Sequence, residues 1–154
     1  MLCIWWDLKG IVYYEFLDSN ETINGDVYSS QLISLHECLI KKRPALVNRK
    51  KIFFLHDNAK PHTSKNVKKT IKDLGWQILQ HPTYSPDLSP TDFYLFRHLQ
   101  KSLLEKKFIK EDDVKNHIKS FFESKEPSFF EKGIKKLSKK WKRVIDTGGE
   151  YFDF

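Results

Sequence analysis

The segment Lys51-Ile52-Phe53-Phe54-Leu55-His56 constrains the fold more than any other stretch of the chain. Its apolar residues run consecutively instead of alternating, so an extended strand here would be hydrophobic on both faces and would need cover on both. Such strands belong to sheets with helices packed on either side, which directs the chain towards an α/β architecture. The run stops abruptly at Asp57. That places Asp57 at the carboxyl end of a strand, where open α/β sheets gather their functional groups.

The flanking segments agree with that architecture. MLCIWWD (1–7) and GIVYYEFL (10–17) are short apolar-aromatic runs parted by Leu8-Lys9, which predicts an antiparallel hairpin with Asp7 as a hairpin-end residue. Tyr28, Leu32, Leu35 and Leu39 recur at spacings of four, three and four, which predicts an amphipathic helix with Asn24 as its N-cap and Pro44 beyond its end. In SKNVKKTIKDLG, Val67, Ile71 and Leu74 share a stripe, Gly75 is the stop, and the preceding Pro61 suits a first helical turn. WQILQ (76–80) reads as a short strand, and the proline-punctuated HPTYSPDLSPT leads into a helix expected to begin at Asp92. Two later stripes, Val114-Ile118-Phe121 and Phe130-Ile134-Leu137-Trp141-Val144, predict further helices. The order β, β, α, β, α, β, α gives a mixed sheet flanked by helices, its later strands joined by helical crossovers.

A chain of 154 residues with 40% hydrophobic content is long and apolar enough for one domain with one core, which excludes disorder. No apolar run approaches the ~18 residues of a membrane span, and the start has no basic segment of a secretory signal. Cys3 and Cys38 make neither a disulfide framework nor a zinc quartet, so both are expected as reduced, buried thiols. Basic residues outnumber acidic ones 27 to 20, a formal charge of +7 that points to a polyanionic partner, nucleic acid first.

Two carboxylates occupy places that packing alone would not choose. Asp57 ends an apolar strand, where an ordinary turn aspartate is the alternative reading, and Asp92 follows Ser-Pro-Thr at a helix start, where macrodipole stabilisation is the alternative. Taken together they suggest metal-assisted chemistry at phosphorus. Hard cations such as Mg²⁺ take carboxylate oxygens, and a two-metal site needs carboxylates from separate elements, normally three. His56 and His62 flank Asp57, yet no third ligand stands at zinc spacing, so a zinc hydrolase is set aside. Asn58, Lys60 and His62 are candidates to line the loop beside the metals and touch phosphate. From Lys132 to Arg143 the chain carries seven basic residues and no acidic one, which makes Lys135, Lys136, Lys139 and Lys140 candidates for phosphate contact.

The strings His56-Asp57-Asn58-Ala59-Lys60-Pro61-His62-Thr63 and His81-Pro82-Thr83-Tyr84-Ser85-Pro86-Asp87-Leu88-Ser89-Pro90-Thr91-Asp92-Phe93-Tyr94-Leu95-Phe96 closely resemble the signature segments of mariner-type DNA transposases of the Tc1/mariner superfamily. The 34 residues between Asp57 and Asp92 match that family's spacing between its second and third catalytic carboxylates. The opening 1–17, Asn48-Arg49-Lys50 and Gly149-Glu150-Tyr151 also resemble the family, so the likeness covers the chain. It implies a ribonuclease H-like catalytic domain, N-terminally truncated, with residues 1–154 forming the partial domain. The family's first catalytic aspartate lies in a Gly-Asp-Glu context ahead of Trp5-Trp6-Asp7, and neither that motif nor the N-terminal recognition region is found here.

The resemblance implies Asp57 and Asp92 as catalytic metal ligands and Mg²⁺ or Mn²⁺ as cofactor. It further implies DNA as a sequence-independent partner, a second copy of the chain as another, and the nucleus as the place of action. The activity it implies is metal-dependent DNA strand cleavage and strand transfer, with this chain alone expected to be inactive for want of the first carboxylate. A different reading of the same residues is a non-catalytic nucleic-acid-binding remnant or domesticated module that keeps only the basic surface.

Overall fold

The computed structural model describes residues 1–149, so the expectation for Glu150 and Tyr151 lies outside the described residues. The chain forms two compact units. One comprises Met1–Trp5 and Ile11–Tyr84, the other Trp6–Gly10 and the described residues from Ser85 onward.

The predicted hairpin is present as β1 (Leu2–Asp7) and β2 (Gly10–Phe16). Its stem belongs to the first unit and its tip to the second. Asp7 Oδ1 closes the turn by accepting from the Lys9 and Gly10 amides at 2.9 and 3.2 Å, and Gly10 adopts φ +136°, a conformation open in practice only to glycine.

In the first unit α1 (Gly25–Lys42) starts where Asn24 accepts from the Val27 amide, as its position predicts. Tyr28, Leu32, Leu35 and Leu39 turn inward and pack with Val12, Phe54, Val67, Ile71 and Trp76. Pro44 does not simply follow the helix. It opens a short helix, α2 (Pro44–Asn48), because a fixed proline φ suits a first turn as well as a stop.

β3 (Phe53–Phe54) runs parallel to β4 (Gln77–Ile78), with Phe53 opposite Gln77 and Phe54 opposite Ile78. The crossover between them is α3 (Lys60–Thr63) and α4 (Lys65–Leu74), the latter capped by Ser64 and ended by left-handed Gly75 at φ 76°. α4 packs on α1.

Two expectations are corrected here. β3 is two residues long, and only one of its faces is covered: Phe54 is buried, whereas Phe53 is 62% exposed. The reason is that β3 pairs with β4 alone among the described strands, and the core of this unit reaches it from the Phe54 side. Cys3 and Cys38 are half-buried free thiols, not buried ones.

The second unit is helical. A 3₁₀ turn (Pro86–Leu88) and a wide π turn (Thr91–Leu95) precede α5 (Phe96–Leu104), α6 (Glu111–Glu123) and α7 (Pro127–Asp146). Its buried residues include Leu88, Phe93, Tyr94, Leu95, Leu99, Ile118, Phe121, Phe122, Phe130 and Leu137. α7 packs against both turns, and it does so closely at Gly133, where a Cβ would stand 2.3 Å from Cδ1 of the Tyr94 ring.

Candidate active site and nucleic-acid face

Asp57 lies in the loop three residues beyond β3, with its side chain 55% exposed. Its contacts with described residues fall on one oxygen: Oδ1 accepts from the Ala59 amide at 3.0 Å and lies 2.6 Å from His62 Nδ1. The His62 approach is an electrostatic contact without the alignment a ring N–H donor needs. Oδ2 accepts no hydrogen bond from a described residue. Burial pushes the Asp57 carboxyl up, but the Ala59 amide, His62 and His56 together outweigh it and hold the group below its ordinary value. The group is therefore anionic at neutral pH, with one oxygen steadied and the other open.

Behind Asp57 stands an aromatic stack. The His56 and His62 rings lie 5.2 Å apart and 8° from parallel, and the Tyr28 ring stacks on His62 at 4.0 Å. Tyr28 Oη and His56 Nδ1 are hydrogen-bonded at 3.0 Å. Burial, with a smaller push from His62, lowers His56 to about 4, so its ring is neutral at pH 7 despite the pull of Asp57 in the other direction. Burial also raises the Tyr28 hydroxyl, which stays protonated. The stack thus fixes His62, and His62 limits the rotation of Asp57. Tyr28 was the residue that sequence periodicity assigned to the core; nothing in the local pattern marks its hydroxyl for His56, 28 residues away.

The other loop candidates divide. Asn58 is used internally, its Nδ2 donating to the His81 carbonyl at 2.6 Å and so bracing the 81–84 loop against the loop after β3. His62 faces Asp57 and Tyr28 with 19% of its side chain exposed. Lys60, the first residue of α3, is exposed.

Asp92 lies in the second unit, in the π turn and not at the start of a regular α-helix as the sequence predicts. The turn is wide because the Phe96 amide donates to Thr91 O, five residues back. Trp6 Nε1 anchors its beginning with a 3.0 Å bond to Thr91 Oγ1, and the Trp6 ring rests on Phe130 at 5.9 Å. Phe93, Tyr94 and Leu95 are buried, which leaves Asp92 as the exposed residue of the turn, its carboxylate accepting no hydrogen bond from a described residue. The sequence alone does not mark Trp6 for this anchoring role; the signal it offers is an indole N–H that needs a partner.

On α7 the basic run is less uniform than its sequence. Ser128, Glu131, Lys132, Lys135, Lys136 and Lys139 line a shallow groove of about 360 Å³. Lys135 pairs with Glu131 one turn earlier, an internal pair outside the acid-free window, and Lys136 lies over the Tyr94 ring at 5.2 Å. Lys140 differs from the expectation of a phosphate-reaching side chain. It is buried, with Nζ 4.4 Å above the Phe93 ring, because its helix position points inward at the π turn; burial lowers its pKa, with Asp87 pulling the other way. Lys139 and Lys132 are exposed.

The donor chemistry at both aspartates fits a hard divalent cation: carboxylate oxygens on exposed side chains, with Asp57 Oδ2 and the Asp92 carboxylate accepting no hydrogen bond from a described residue. Among the described residues no three His, Cys, Asp or Glu side chains group into a metal-ligand set. No helix of the described chain is long and apolar enough to cross a membrane.

Asp57 in the loop after β3 and the exposed Asp92 of the π turn belong to a chain of mixed helix and sheet with one parallel crossover, and its structural match to a transposase catalytic domain makes that fold ribonuclease H-like. A family model described as transposase (partial DDE domain) matches residues 1–49. The Mariner Mos1 transposase of Drosophila mauritiana is 40% identical over 154 residues, covering 99% of this chain and 45% of that protein. The structure of the Mos1 transposase catalytic domain with raltegravir and Mg superposes with a TM-score of 0.93 at 40% identity, covering 99% of this chain and 76% of that one. A pre-cleavage Mos1 transpososome matches with a TM-score of 0.94, again at 40% identity, over 99% of this chain and 45% of the other. The chain belongs to the mariner transposase family. It spans less than half the length of the Mos1 transposase it matches.

Proposed function

We propose that this chain contributes the catalytic domain of a DNA transposase, which cleaves DNA strands and transfers them to target DNA with the help of Mg²⁺ or Mn²⁺. The observation that carries the reading is the state of Asp57: anionic, fixed through one oxygen by Ala59 and His62, and open at the other. Asp57 and Asp92 would hold the metal, which when bound supplies charge stabilisation at the attacking and leaving oxygens of a displacement at phosphorus. The protein's own part is to steady Asp57 through the Tyr28–His56–His62 stack and Asp92 through the Trp6–Thr91 anchor, so that neither carboxylate must be ordered when substrate arrives. Lys60, Lys132, Lys136 and Lys139 would meet phosphates, giving sequence-independent affinity for DNA. Similarity to Mos1, solved with Mg and as a transpososome, supports both the metal and the DNA. The same reading places the protein in the nucleus and makes a second copy of the chain a partner.

One observation favours a second reading, a nucleic-acid-binding module that keeps only the basic surface: Lys132, Lys136 and Lys139 stand exposed along the α7 groove. A plasmid-nicking assay separates the two. The chain by itself is expected not to nick DNA with Mg²⁺ or Mn²⁺, because two carboxylates under-ligate two metals. The same chain supplied at its front with a strand bearing Gly-Asp-Glu is expected to nick, and Asp57→Asn or Asp92→Asn in that protein should abolish nicking while DNA binding persists. Activity that survives Asp57→Asn would sink the catalytic assignment. Failure of the supplemented protein to nick, with DNA binding intact, would favour the binding module.

A further inference from the structure

Tyr84 is the exposed residue that packing explains least. Its side chain is 94% exposed, so it stabilises no core, and its backbone sits at φ 54°, the left-handed region that bulky residues rarely occupy. Three residues earlier, both ring nitrogens of His81 are buried without a hydrogen-bond partner, although one of them must carry a proton in either tautomer. The 81–84 loop therefore bears two local costs, an unsatisfied imidazole and a left-handed tyrosine, and neither is offset by burial of the tyrosine ring.

Asn58 Nδ2 donates to the His81 carbonyl at 2.6 Å. Asn58 follows Asp57 directly, so the loop that carries Tyr84 is fastened to the loop that carries the catalytic carboxylate. Three residues of extended chain reach at most about 11 Å, which keeps Tyr84 near the Asp57 loop. Strain that persists without a packing benefit points to function.

We propose that Tyr84 is a base-stacking residue, whose ring takes an unpaired nucleobase of the DNA strand processed beside Asp57. The inference rests on the DNA reading above and adds the contact that would recognise a particular state of that DNA. A protein partner fits the surroundings less well. Pro82 and Thr83, the ring's neighbours in its own unit, are exposed and do not form a contiguous apolar patch, and a protein interface would need hundreds of Å² around a single anchor. A nucleobase needs only one π face. In a paired duplex the interior bases have both faces occupied, so an isolated protein ring gains a full stacking partner only where a base is unpaired or extruded. The net charge of +7 supplies the long-range attraction to the backbone that brings such a base within reach.

The test compares a 12-nucleotide single strand with a duplex of the same sequence, each carrying one 2-aminopurine, using the full chain at low salt. Wild type and Tyr84→Trp should bind the single strand and quench the 2-aminopurine. Tyr84→Ala should bind the single strand about tenfold less tightly and lose the quench, with duplex affinity unchanged. Tyr84→Asn, whose side chain tolerates the left-handed backbone, should lose the quench equally while its Tm does not fall, which separates a contact with DNA from a role in folding. Equal quenching and equal single-strand affinity in Tyr84→Ala would overturn the proposal while leaving the DNA reading intact. A change in oligomeric mass without a change in single-strand affinity would overturn it in favour of a protein contact. If wild type binds neither form of DNA, the DNA reading itself fails, and the stacking role with it.

Discussion

Replacing Gly133 with alanine pits two opposed effects against each other. Glycine in a helix interior is about 1 kcal/mol worse than alanine, so on propensity alone Gly133→Ala in α7 should stabilise the protein. The packing says otherwise. The new Cβ would stand 2.3 Å from Cδ1, 2.6 Å from Cε1 and 2.9 Å from Cγ of Tyr94, a ring that is itself 3% exposed and cannot swing into solvent. Restoring ordinary contact requires the ring or the helix to move by about 1 Å, and overpacking of this sort costs about 1–3 kcal/mol, here at the upper end because ring atoms next to the side-chain root are struck. Subtracting the propensity gain leaves about 2 kcal/mol of net destabilisation, which for a chain of this size lowers Tm by about 4–8 °C.

Thermal unfolding followed by far-UV circular dichroism measures the shift. A double-mutant cycle isolates its cause: in a Tyr94→Ala background the obstructing ring is gone, and Gly133→Ala should become neutral or stabilising by up to about 1 kcal/mol. A rise in Tm for Gly133→Ala in the wild-type background would refute the reasoning, because it would mean that α7 does not press on the π turn carrying Asp92 as the structure describes.

Three further outcomes are expected. His56 titrates near 4 in the folded protein against an ordinary 6.5, so the unfolded chain binds the extra proton first; in metal-free buffer this contribution leaves Tm level above pH 7 and lowers it as pH falls from about 6.5 to 4, and a His56→Gln variant whose pH profile keeps the same slope would disprove it. Lys139→Ala should reduce the slope of log affinity for DNA against log salt by about 0.9, whereas Lys140→Ala should leave that slope unchanged and lower Tm by loss of its buried stem and its contact with Phe93; equal salt slopes for the two variants would show that exposure on α7 does not sort the lysines. Finally, β3 has one unpaired edge among the described residues with Phe53 and Ile78 exposed beside it, so the chain should associate as concentration rises, and Phe53→Lys should reduce that association in analytical ultracentrifugation; a monomer at every concentration in wild type would contradict this.

The features that the sequence determined by itself are those set by neighbours along the chain. The spacing of Tyr28, Leu32, Leu35 and Leu39 and the cap at Asn24 suffice for α1, and Gly75 ends α4, because periodicity and capping are local properties of a few consecutive residues; the apolar run before Asp57 marks a strand, but that strand ends at Phe54, three residues before the aspartate. The wording around Asp57 and Asp92 also located the two candidate carboxylates. What only the tertiary structure decided depends on partners remote in sequence. The apolar run looked two-sided, yet Phe53 is exposed because cover is supplied by other elements, and those lie on the Phe54 side. Lys140 belongs to a basic run by composition and to the interior by its position opposite Phe93. The stack of Tyr28, His56 and His62 that steadies Asp57 and the partner that the Trp6 indole finds in the turn of Asp92 are not written locally, since each exists only once chain segments tens of residues apart have been brought into contact and their polar groups have had to find partners away from water.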